Sequence, residues 1–66
     1  MRITWNGTEC TVVEGVTVKR LLEDRGLDPR SVVVERNGAI VPSEAHDRVE
    51  LHEGEVFEVV HFVGGG

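Results

Sequence analysis

Sixty-six residues make one domain at most, and a domain of this size buries only about 60% of the surface its unfolded chain exposes, which leaves no room for a deep cleft beside the core. Twelve acidic and seven basic side chains give a formal net charge of −5, with no Lys/Arg cluster to track a phosphate backbone, so nucleic acid is excluded as a partner. One cysteine excludes an internal disulfide, no stretch approaches the ~20 apolar residues of a membrane span, and the opening "MRITWNGTEC" is too polar for a signal peptide; the expectation is a soluble protein of the reducing cytoplasm, with no membrane partner.

The first element is a hairpin. "RITWNGTECTVV" carries Asn6-Gly7, the residue pair of a type I′ turn. Around that turn Trp5 faces Thr8 and Ile3 faces Cys10. Met1, Ile3 and Trp5 share one face of the first strand, and Cys10 and Val12 share the same side of the second. A short helix follows in "EGVTVKRLLEDRGLDP". Thr17 is its N-cap, Val16 and Leu21 form a hydrophobic staple, and Val18, Leu21 and Leu22 make the core-facing stripe. Gly26 takes the left-handed position after the helix, Leu27 packs back on Leu22, and Pro29 stops continuation.

"SVVVERNGAIVP" is a second hairpin on Asn37-Gly38, with Val32 and Val34 on one face and Val33 and Glu35 on the other. "SEAHDRVELHEGE" is polar and irregular, anchored by Val49 and Leu51, with a turn at Glu53-Gly54. "EVFEVVHFV" is the last strand. Phe57, Val59, His61 and Val63 line one side of it, and Val56, Glu58, Val60 and Phe62 the other.

These elements predict an α+β domain over residues 1–63, a mixed sheet with one helix on one face and the last strand beside the first. Residues 64–66 form a flexible C-terminal tail. A single helix covers one sheet face, yet both sides of the last strand are apolar. Val60 and Phe62, with Val33 from the third strand, are therefore expected on the open face as a partner-docking patch.

No catalytic constellation emerges. Cys10 falls on the core face, where cysteine acts as a small hydrophobe, and no neighbouring cation is indicated. His46, His52 and His61 match no metal-ligand spacing and are expected exposed or packed at an edge, so no metal site is assigned. Glu50, Glu53 and Glu55 read as a solvated surface. The closing "GGG" is followed by no helix, so it is no phosphate cradle.

What remains is the terminus itself. Glycine without Cβ threads a narrow channel, and residues 63–66 span on the order of 10–14 Å when extended. The Gly66 carboxylate is an unreactive anion near neutrality until something activates it, most simply by transfer of adenylyl from ATP. A frayed end is the alternative reading of the same residues.

Together "ITWNG", "TVKRLLEDRGL", "VVVERNGAIVP", "EGEVFEVVHFV" and the terminal "GGG" resemble the ThiS family, the small sulfur carriers of thiamine biosynthesis. The length fits these better than the longer MoaD-type carriers of molybdopterin synthesis. The resemblance implies a ubiquitin-like β-grasp fold. It further implies that a ThiF-like enzyme adenylates Gly66 with MgATP, and that sulfur from a cysteine desulfurase converts it to a thiocarboxylate. A ThiG-like thiazole synthase then receives the sulfur. The family's Gly-Gly end falls on Gly65 and Gly66, with Gly64 as an extra small residue. On this resemblance the chain is a co-substrate, not an enzyme, and binds no cofactor of its own. A carrier serving another pathway, a ubiquitin-like modifier joining Gly66 to lysines, and a non-covalent β-grasp module remain as alternatives.

Overall fold

The computed structural model describes residues 1–62. Residues 63–66 lie outside that range, and with them the expected domain boundary and the tail glycines Gly64, Gly65 and Gly66. β1 (Arg2–Trp5) and β2 (Thr8–Thr11) form the first hairpin, followed by helix α1 (Val18–Asp24), β3 (Val32–Arg36), β4 (Ala39–Val41) and β5 (Val56–His61). Single 3-10 turns lie at Pro29–Ser31 and Ser43–Ala45. The five strands run in the order β2-β1-β5-β3-β4. β5 is parallel to β1 and antiparallel to β3, so the sheet is mixed, with the last strand at its centre beside the first. This is the expected β-grasp arrangement.

The first hairpin has the expected register, Ile3 opposite Cys10 and Trp5 opposite Thr8. Asn6 and Asn37 both adopt positive φ, 49° and 50°, as a type I′ turn requires. Each also reaches β5. The Asn6 side chain accepts from Val59 N at 2.7 Å and donates to Val59 O at 3.1 Å. Asn37 accepts from Val56 N at 2.9 Å and its backbone N–H donates to Val56 O at 2.7 Å. The two turns thus clasp opposite flanks of the central strand.

Helix α1 is capped at both ends as its sequence predicts. The Thr17 hydroxyl accepts from Arg20 N at 3.2 Å. Gly26 sits at φ +70°, Leu27 N donates to Leu22 O at 2.9 Å and Gly26 N to Glu23 O at 3.0 Å, the two bonds of a Schellman motif. Two further N–H groups of the first turn find partners in the segment expected to be irregular: Val18 N donates to Val49 O and Lys19 N to His46 O. Leu51 N returns to Val16 O. That segment is therefore a strap across the helix N-terminus, held by its backbone.

The core lies between α1 and one sheet face. Ile3, Trp5, Val32, Val34, Val41, Phe57 and Val59 from the sheet meet Val18, Leu21 and Leu22 from the helix and Leu51 from the strap. Phe57 and Leu22 are fully buried, and the Trp5 and Phe57 rings stack with centroids 6.4 Å apart. His46 overturns its expected exposure: it is 3% exposed, with Nε2 3.2 Å from Val41 O. The strap carries its ring inward, which a polar run gives no sign of. His52 and His61 are exposed as expected. Among the described residues no helix is long and apolar enough to cross a membrane.

Candidate functional site: the open sheet face and the root of the tail

Strand alternation sends Val33, Glu35, Ile40, Val56, Glu58, Val60 and Phe62 to the face that α1 does not cover. Val60 is 60% and Phe62 58% exposed, while Val33, directly opposite Val60, is half-buried. The three residues expected at a docking patch thus lie together at one end of the open face. Ile40, 67% exposed, and Val56, 42% exposed, extend the apolar surface across β4 and along β5. Ile40 was legible as the outward residue of the second hairpin. Its membership needed the register that sets it opposite Glu35.

One row of this face is acidic. Glu35 on β3 lies directly opposite Glu58 on β5. Neither carboxylate belongs to any ion pair among the described residues.

The last described residue is tied to the body. Beyond the last ladder pair, Val32 with His61, the Phe62 N–H donates to Ser31 O at 2.9 Å. Ser31 closes the 3-10 turn that Asp28 caps through Arg30 N at 2.9 Å. The Arg30 guanidinium also bonds both Asp28 oxygens, and these hydrogen bonds hold the Asp28 carboxyl below its ordinary value of 3.8. The described chain therefore ends, at Phe62, on an anchored backbone beside the apolar patch.

Two side chains depart from expectation. Cys10 packs half-buried against the core, yet the Arg25 guanidinium lies 3.3 Å from its Sγ and 4.8 Å from the Trp5 ring centroid. A cation does stand beside the thiol, brought there by the helix C-terminus folding over β1 and β2. Glu55 is not simply solvated: its side chain is 13% exposed, accepts from His52 N at 2.7 Å and pairs with Arg36 at 3.7 Å. Glu50 and Glu53 are exposed. Among the described residues no group of three or more His, Cys, Asp or Glu side chains is placed to hold a metal ion.

A mixed five-stranded sheet with one helix on one face and exposed apolar residues on the other is the architecture of the ubiquitin-like β-grasp class. The chain belongs to the ThiS family, whose model matches residues 3–66. It is 46% identical over 50 residues to the sulfur carrier protein ThiS of Bacillus subtilis, covering 76% of each chain. Two thiazole synthases, from Paramagnetospirillum magneticum and Magnetococcus marinus, match over all 66 residues at 41% and 42% identity. The chain spans about a fifth of the length of those two relatives (20% of each). The crystal structure of the thiamine biosynthesis protein ThiS from Geobacter metallireducens superposes with a TM-score of 0.86 at 35% identity, covering 100% of both chains. Its solution structure does so at 0.80, covering 100% of this chain and 88% of that one.

Proposed function

We propose that this chain is a sulfur carrier of thiamine biosynthesis, a protein co-substrate on which partner enzymes act. A ThiF-like enzyme joins the Gly66 carboxylate to the adenylyl group of MgATP, releasing pyrophosphate. The outer sulfur of a persulfide charged by a cysteine desulfurase displaces AMP to give an acyl disulfide, and a thiol then cleaves its S–S bond, leaving the thiocarboxylate on Gly66 and a disulfide on the donor side. Thiazole synthase then takes the sulfur for the thiazole ring. The observation that carries this reading is the family match through the terminal glycines to residue 66, on a body that also matches a sulfur carrier of Bacillus subtilis.

The geometry of the body supports the same reading. Chemistry performed on a chain terminus needs recognition at its root, and Val33, Val60 and Phe62 supply an apolar patch there. The Phe62–Ser31 bond keeps Phe62 in register with that patch. Thiazole synthase as a partner is supported by the two synthase chains that match this whole domain. A thiocarboxylate holds its sulfur covalently, so no free sulfide is released between donor and acceptor.

Intact mass spectrometry tests the reading. After incubation with the ThiF-like enzyme, MgATP and a sulfur source, the chain gains about 16 Da as one terminal carboxylate oxygen is replaced by sulfur. Removing Gly65 and Gly66 abolishes the gain. An unchanged mass where a known carrier reacts would overturn the reading, and conjugates to lysine would point to a protein modifier instead.

A further inference from the structure

Glu35 and Glu58 stand directly opposite each other on neighbouring strands, in the middle of the open face. Directly opposed residues bring their Cβ atoms to roughly 4.5–5.5 Å, and like charges so placed destabilise a sheet. No cation of the described residues pairs with this row. Arg36, next to Glu35 in sequence, alternates to the other side and pairs with Glu55. Arg2 pairs with Glu9, Arg20 with Asp24 and Arg30 with Asp28, while Arg25 lies over Trp5. The acidic row is also hemmed by apolar groups: Ile40 lies opposite Glu35 on its other flank, and Val33 and Val60 form the next outward-facing row. Covering this face with a purely apolar partner would strand two carboxylates away from water.

We propose that the Glu35–Glu58 pair is the receptor for a single arginine or lysine presented by thiazole synthase from within an apolar contact surface. This rests on the sulfur-carrier reading for the partner's identity. The occupant is chosen on two grounds. A second copy would bring four carboxylates face to face across a two-fold axis, which like-charge repulsion opposes. The synthase is the protein whose own chain, in two relatives, contains a match to this entire domain. One partner cation between the two carboxylates removes their mutual repulsion and is itself neutralised, so docking relieves a strain that the free carrier bears. The apolar residues supply contact area. The acidic row sets register and excludes partners that lack the cation.

The inference requires stability and binding to move in opposite directions. Thiazole synthase of the same organism is titrated with the parent chain, E35Q/E58Q and E58K, with a melting curve for each. The double variant is expected to melt no lower than the parent and to bind at least about tenfold more weakly, with a flatter dependence on salt. E58K places opposite charges across the strands, so it is expected to melt higher and bind weaker still. Unchanged affinity in both variants overturns the proposal, as does a loss of affinity matched by a loss of stability. Charge-dependent binding to the ThiF-like enzyme but not to the synthase, or dimerisation through this face, overturns the chosen occupant. Sulfur loading by mass is followed on the same samples: a parent chain that never loads defeats the carrier reading alone, because the charge dependence of synthase binding is read separately.

Discussion

Asn6 holds a left-handed backbone and at the same time spends its side-chain amide on Val59 of the central strand. The first role is legible from Asn-Gly; the second needs β5 to arrive beside the turn, fifty-three residues away in sequence. The two roles separate by mutation. Asn6→Gly keeps the turn but leaves the part-buried Val59 N–H and C=O without these partners. It is expected to lower unfolding free energy by about 1–3 kcal/mol in urea titrations. A loss no greater than the ~0.5–1 kcal/mol of added glycine flexibility would show that the clasp contributes nothing. His46 teaches the converse. It stands in a mostly polar run, and only the closure of the strap onto the helix carries its ring inside, against Val41 O.

At the scale of elements, α1 has seven residues, well below the length at which an isolated helix persists in water. Its apolar stripe and both caps are written locally, so the helix was legible to within its ends. What sustains it is not local: the N–H groups of Val18 and Lys19 are satisfied by carbonyls of Val49 and His46 in the strap. Thr17→Ala removes the side-chain cap and leaves those strap bonds in place, so the expected loss is about 1 kcal/mol by chemical denaturation. A loss above about 2 kcal/mol would mean that the strap detaches with the cap. The strap itself was unreadable as an element because it has neither helical nor strand periodicity. Leu51 and His46 bury their side chains, but the bonds to the helix run from backbone to backbone, and these leave no trace in side-chain pattern.

For the molecule as a whole, the decisive asymmetry is that one helix serves a sheet with two apolar faces. The covered face carries the core, and the open face, with Val60 and Phe62 exposed, is where recognition is proposed. Phe62 tests the division, because it is 58% exposed yet follows directly on the central strand. Phe62→Asp is expected to change unfolding free energy by no more than about 0.5 kcal/mol. Its affinity for the two proposed partners, an adenylating enzyme and thiazole synthase, is expected to fall at least about tenfold. Equal losses in calorimetric stability and in binding would return Phe62 to the core.

The alternation of the strands, the two Asn-Gly turns, the caps of α1 and the glycine end are properties of neighbouring residues. Periodicity and turn chemistry act over a few peptide units, so the sequence by itself determined the elements, the apolar faces and the family likeness. Three features belong to the tertiary structure alone: Arg25 beside Cys10, His46 inside the core, and Glu35 opposite Glu58. Each depends on the register and closure of segments far apart in the chain. A shift of one residue in β5 would turn Glu58 to the core and Phe57 to solvent. The cooperative burial of Phe57 and Val59 against α1 prevents that slip, and thereby decides which charges meet on the open face.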